Sequence, residues 1–238
     1  KEGQQMTKTE KRADYRYGFR KGLPIGAGYI TVSFAFGVMA VGKGLTPLLA
    51  VFISLTNLTS AGQFAGTNLL IEGAGILEIA LTVFVINLRY MLMSLALSQK
   101  LQKGTGLFKR LVFGFGITDE TFAVAVTETH KISAEYLFGL ITAPIAGWTL
   151  GTALGALASG ILPPLLQSAM GIALYAMFIA IIVPPAKKSK PVIFVLALSI
   201  LLSCVMNSFR IFDFISDGFK IILSTVLSAA AAALLFPV

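Results

Sequence analysis

From Tyr136 to Ala186 the chain reads YLFGLITAPIAGWTLGTALGALASGILPPLLQSAMGIALYAMFIAIIVPPA, 51 consecutive residues without Asp, Glu, Lys or Arg. A membrane-spanning helix needs about 20 apolar residues. The run therefore holds two helices, and Pro163-Pro164 marks the turn between them. Gly22 to Gly42, Gly44 to Ile71, Pro191 to Phe209 and Ile221 to Val238 are likewise uncharged. Backbone groups in lipid must pair with one another, so such runs are helices or sheltered broken helices. A membrane barrel would show short alternating segments instead. The sequence predicts an all-α polytopic membrane protein with segments near 18–42, 45–70, 74–98, 110–129, 135–160, 164–184, 190–208 and 217–236.

Composition agrees. Of 238 residues, 56% are hydrophobic and 13% charged, against roughly 25% charged in soluble domains; mean hydropathy is +0.84. These values exclude a disordered chain, a nucleic-acid module and a water-soluble enzyme. The net charge of +8 sits in the N-terminal stretch and in short loops, which points to a bilayer and away from nucleic acid. A single cysteine, Cys204, excludes a disulfide framework and a cysteine-based metal site. The sequence has no HExxH, GxSxG or Walker motif, so no enzyme, metal or cofactor is expected.

The first 21 residues carry seven Lys/Arg against three acids. Residues 1–17 are expected to form a cytoplasmic polar tail, its positive region too long for a secretory signal. Residues 18–238 are expected to form a single transmembrane domain. Further positive clusters are Lys100, Lys103, Lys109 and Arg110, then Lys187, Lys188 and Lys190. If every segment crosses, the cluster at 100–110 falls outside, against the positive-inside rule. The conflict disappears if 45–70 and 110–129 each enter and leave on one side. The expectation is six crossings plus two re-entrant or broken helices, with both termini cytoplasmic. Eight plain crossings are the alternative.

Local sequence supports the breaks. The second segment contains Ser54-Leu-Thr-Asn-Leu-Thr-Ser-Ala-Gly-Gln-Phe64, and the fourth contains Phe113-Gly-Phe-Gly-Ile-Thr-Asp-Glu-Thr121. On one regular helix Asp119 or Glu120 would face lipid, at a cost of several kcal/mol. A bend at Gly114–Gly116, with a new helix starting at Thr118 or Asp119, puts both acids in a first turn, where the dipole favours them. Discontinuous helices of this kind form binding sites in secondary transporters. Residues 18–130 then read as an inverted-repeat pair, with four further helices over 135–236.

The candidate substrate groups are Asn57, Thr59, Ser60, Gln63, Asn87, Arg89, Thr118 and Asp119. Thr56, Ser60, Gln63 and Thr67 are spaced as one helical stripe; interhelical hydrogen bonding is the other reading. Arg89 needs a counter-charge, and Asp119 or Glu120 can supply it. Glu78 lies eleven residues earlier, about 16 Å along a helix axis, too far to pair with Arg89. Asp119, Glu120 and Glu78 are the candidates for carrying a coupling proton. Gly147, Gly151 and Gly155 recur every fourth residue, a spacing for close helix packing. The single histidine, His130, at a segment end, reads as a surface residue.

Several motifs in order resemble the AzlC family, the larger subunit of branched-chain amino acid exporters. They are Tyr17-Gly-Phe-Arg-Lys-Gly-Leu-Pro-Ile-Gly26, Phe34-Ala-Phe-Gly37, Ser60-Ala-Gly-Gln-Phe-Ala65, Asn87-Leu-Arg-Tyr90 and Thr118-Asp-Glu-Thr-Phe-Ala123, with Gly147-Trp148 leading to Gly151-Thr152. The resemblance covers residues 15–160. It implies export of valine, leucine and isoleucine across a bacterial cytoplasmic membrane, together with a small AzlD-type membrane subunit. The sequence has no motif for an ATPase to grip, so a secondary, proton-linked mechanism is expected. A small-solute channel and a non-transporting membrane subunit are the alternatives.

Overall fold

The computed structural model describes residues 7–102, 104–163, 165, 166, 169, 179, 182–184, 186–212 and 214–236. The expected segment at 164–184 lies mostly outside these residues, as does Lys103. The described helices are α1 (Lys8–Gly42), α2 (Pro47–Thr56), α3 (Ala61–Ile71), α4 (Ile76–Ser98), α5 (Leu107–Phe115), α6 (Asp119–Val126), α7 (Ala134–Ala158), α8 (Lys190–Ser208) and α9 (Asp217–Leu235). Five of them, α1, α4, α7, α8 and α9, are long and apolar enough to cross a membrane. The protein is an all-helical polytopic membrane protein.

Helix α1 starts ten residues ahead of the expected position. Thr7 and Glu10 form a reciprocal capping box, with Thr7 N–H donating to Glu10 Oε2 at 2.7 Å and Glu10 N–H donating to Thr7 Oγ1 at 3.3 Å. This satisfies two otherwise orphaned donors and starts the helix in the polar stretch.

The chain divides into two compact units, residues 1–60 with 88–170 and residues 61–87 with 171–238. The first is organised on α1 and α7, which run parallel. A Cβ on Gly18 would fall 2.1 Å from Tyr136 O, on Gly26 2.5 Å from Ala143 O, and on Gly37 2.3 Å from Thr152 O. From the other side, a Cβ would fall 2.2 Å from Gly26 O at Gly147, 2.4 Å from Ile30 O at Gly151, and 2.0 Å from Phe34 O at Gly155. The neighbour of the small-residue stripe is thus α1 of the same chain. Trp148, Leu140, Phe36 and Val38 are buried around this seam.

The α5–α6 pair is a re-entrant hairpin. Lys109 near the start of α5 pairs with Glu135 near the start of α7 at 2.8 Å. Further in, Phe113 meets Phe138 with ring centroids 6.0 Å apart, and Gly116 abuts Ile141. Thr118 lies beside Tyr29 of α1, and the chain then returns, so that Glu128 accepts from Tyr136 at 2.9 Å. The pair enters and leaves at one end of the unit, which removes the reading in which all eight segments cross. The C-terminal end of α4 lies at that end too, since Lys100 Nζ donates to Glu128 O at 2.8 Å. Helix α2 comes in from the opposite end and reaches Thr152 through Ser54, at 2.6 Å.

The second unit contains α3, the first half of α4, α8 and α9. Helices α8 and α9 are antiparallel, with Phe194 against Phe236 at one end and Lys220 donating to Asn207 at 3.5 Å at the other. Gly66 of α3 packs against Val83 of α4.

Candidate substrate and proton site at a broken helix

Gly116, Thr118 and Thr121 make the break. Gly116 ends α5, where a Cβ would strike Ile141 at 2.6 Å. Thr118 then takes an extended backbone, φ −125° and ψ 173°, and caps α6. Its N–H donates to Thr121 Oγ1 at 2.7 Å, and Thr121 N–H donates to Thr118 Oγ1 at 3.3 Å. Thr121 Oγ1 also donates to Gly116 O at 3.1 Å, which closes the bend. The capping box consumes two of the N–H groups that a half-helix start leaves open. Asp119 and Glu120 occupy the first turn, on the favourable end of the dipole.

The two acids have different partners. Asp119 Oδ2 lies 3.1 Å from Arg89 Nη1 of α4, and Arg89 Nη2 donates to Tyr90 Oη at 3.0 Å. The guanidinium also lies 4.8 Å from the Tyr90 ring centroid. The ion pair is partly open, with 37% of the Arg89 side chain and 29% of the Asp119 side chain accessible. Arg89 Nε, by contrast, is buried with no acceptor. Glu120 accepts from the hydroxyl of Tyr29, which also lies 2.7 Å from Thr118 Oγ1. Tyr29 stands edge-on to Trp148, with centroids 5.2 Å apart. Along α7, Glu135 to Trp148 is thirteen residues, or about 20 Å at 1.5 Å per residue. The break therefore lies deep in the unit.

The remaining sequence candidates fall elsewhere. Asn57 and Thr59 sit in the α2–α3 break, where Thr59 Oγ1 donates to Asn57 Oδ1 at 2.6 Å. Ser60 has φ +32°, a left-handed conformation uncommon for a side-chain-bearing residue. This break dissolves the expected continuous stripe: Thr56 Oγ1 donates back to Phe52 O at 2.8 Å and is exposed, whereas Gln63 and Thr67 are buried in α3. Asn87 lies on the second unit's part of α4, its Oδ1 buried without a donor. Glu78 accepts from Gly218 N–H at 3.0 Å and so caps the start of α9. His130 is exposed.

Sequence reasoning missed Tyr29 and Tyr90 as members of the site. A hydroxyl-bearing aromatic inside an uncharged run was the available signal, since a buried Tyr O–H normally has a partner. It also missed Glu128, whose side chain is 8% exposed and accepts from Tyr17 at 3.4 Å and Tyr136 at 2.9 Å, with Lys21 Nζ 3.6 Å away.

A helix pair broken around a charged, partly open centre is an arrangement that secondary transporters use for binding. The AzlC protein family profile matches residues 24–162, which include every element of this centre. The chain belongs to the AzlC family. It is 33% identical over 175 residues to the inner membrane protein YgaZ of Escherichia coli K12, covering 71% of each chain. It is also 33% identical over 184 residues to an uncharacterized membrane protein of Archaeoglobus fulgidus, covering 76% of this chain and 80% of the relative. The branched-chain amino acid transport protein AzlC of Bacillus subtilis is 23% identical over 146 residues, 60% of this chain and 57% of the relative. No solved structure matches the chain.

Proposed function

We propose that this protein exports branched-chain amino acids by a secondary, proton-coupled mechanism, as the large subunit of a complex with a small AzlD-type membrane protein. The substrate class follows the name of the Bacillus relative. The observation that carries the reading is the partly open Arg89–Asp119 pair at the start of α6, with Arg89 Nε unpartnered. A zwitterionic amino acid presents one carboxylate and one ammonium on adjacent atoms, and an internal ion pair is the complement of both. On binding, the substrate carboxylate takes the guanidinium and its ammonium takes Asp119, so neither protein charge is left alone in a low dielectric. Thr118, Asn57, Thr59 and Ser60 are the further polar candidates of the same unit. Gln63 and Asn87 of the other unit are candidates to be tested separately.

The end of the first unit that carries Arg12, Arg16, Arg20, Lys100, Lys109 and Arg110 is read as cytoplasmic. Helix α2 and the α5–α6 hairpin come in from opposite ends, which supports reading 18–130 as an inverted pair.

Counterflow tests the reading. Vesicles holding the complex and unlabelled valine should accumulate labelled valine transiently, with saturation. Arg89→Ala and Asp119→Asn should each lose this uptake while the protein remains folded in the membrane. Flux without trans-stimulation indicates a pore, and wild-type counterflow in both variants overturns the site.

A further inference from the structure

We propose that the two adjacent acids divide the work, with Glu120 carrying the coupling proton and Tyr29 reporting its protonation to the cap of α6; this rests on the transport reading above. The division follows from the partners. Asp119 is matched to a permanent cation, Arg89, at 3.1 Å, and that pair is committed to the substrate's two charges. The partner of Glu120 is the neutral hydroxyl of Tyr29. Protonating Glu120 therefore leaves no protein cation without its counter-charge, because Arg89 keeps Asp119.

Tyr29 has one hydroxyl proton and two oxygen neighbours, Glu120 Oε2 and Thr118 Oγ1, the latter at 2.7 Å. It cannot donate to both at once. When Glu120 is ionised, Tyr29 donates to the carboxylate and Thr118 O–H can donate to Tyr29 Oη. When Glu120 binds a proton, its new O–H donates to Tyr29 Oη, and the tyrosine proton turns to Thr118 Oγ1. Thr118 Oγ1 is the acceptor that holds Thr121 N–H in the capping box. Proton occupancy therefore changes the load on the oxygen that fixes the bend at Gly116–Thr118. One proton forms an O–H bond at Glu120 from one side of the membrane, and that bond breaks as the same proton is released to the other.

The charged and titratable groups facing Glu120 are Tyr29 from α1, Arg89 and Tyr90 from α4, and Asp119 on α6 itself. Helix α7 contributes the indole of Trp148 behind Tyr29. Arg89 is the only cation in this set, and its contact is with Asp119.

The test separates driven transport from exchange in vesicles holding the complex. Wild-type protein should accumulate labelled valine against its gradient when a pH gradient is imposed, and should also exchange labelled for unlabelled valine without one. Glu120→Gln should lose the pH-driven accumulation and keep the exchange. Tyr29→Phe should shift the pH at which driven transport is half-maximal. Glu120→Asp should restore part of the driven transport. If Glu120→Gln still accumulates valine under a pH gradient, or loses exchange along with it while properly folded, the division of labour is wrong. Should the glutamine variant fail to fold, Tyr29→Phe decides: an unmoved pH profile overturns the proposal. If the wild type itself neither exchanges nor accumulates valine, it is the transport reading that fails.

Discussion

The α1–α7 seam and the α5–α6 hairpin share one unit and one set of neighbours, yet are held by opposite means. At the seam, glycines bring backbone against backbone, and a single added carbon at eight positions would meet a carbonyl oxygen within 2.6 Å. Such a contact has one packing distance and no alternatives. The hairpin is fastened by side chains: Lys109 to Glu135, Arg89 to Asp119, Tyr29 to Glu120, and Tyr17, Lys21 and Tyr136 to Glu128. Hydrogen bonds and half-exposed ion pairs can exchange partners at small net cost. The seam is thus a frame set by backbone fit, and the hairpin is held by fastenings that can exchange partners.

The contrast can be broken first at the seam. Gly155→Val places a Cβ 2.0 Å from Phe34 O, and only backbone movement relieves that. Overpacking typically costs about 1–3 kcal/mol, and a backbone obstacle belongs at the top of that range. The expected outcome is loss of monodisperse protein on size-exclusion chromatography of solubilised membranes. A normal yield and melting temperature would show the seam to be looser than described.

Glu128→Gln probes the foot of the hairpin and should have an intermediate effect. It removes the charge that Tyr17, Tyr136 and Lys21 surround. Hydrogen bonds to charged groups contribute about 1.5–3 kcal/mol, and the amide retains part of that by accepting from Tyr136. Folded protein should be recovered with a lower melting temperature and altered transport rate. No change in either would remove Glu128 as a fastening.

The smallest effect is expected at Gly28→Ala, on α1 but away from the seam, where an added Cβ meets nothing within 4 Å. Within a helix this exchange favours alanine by about 0.5–1 kcal/mol. Melting temperature should hold or rise slightly. A strong loss there would mean that α1 tolerates no side chain on any face, and the contrast between its two sides would dissolve.

Much of this was legible in the chain itself. The expected segments at 74–98, 135–160, 190–208 and 217–236 correspond to α4, α7, α8 and α9 within two residues at each end, because lipid length and backbone pairing leave apolar runs one solution. The bend at Gly114–Gly116 and the helix start at Asp119 were legible too, since two consecutive acids have no lipid-compatible place on a straight helix. The stripe from Thr56 to Thr67 misled, because periodicity assumes an unbroken helix and the chain breaks at 57–60.

Sequence alone determined that the chain is helical and membrane-embedded, where its apolar runs begin and end, and that two consecutive acids start a helix after a break. These are properties of single segments, fixed by local chemistry and the solvent. Only the tertiary structure decided that α1 and α7 run parallel, that α5–α6 turns back where a plain crossing was the alternative, and that of the two acids Arg89 takes Asp119 while Tyr29 takes Glu120. Each of those depends on which helix faces which. Lipid gives apolar helix surfaces almost no preference among neighbours, so the choice lies in backbone fit and in a few polar pairs, which no run of adjacent residues records.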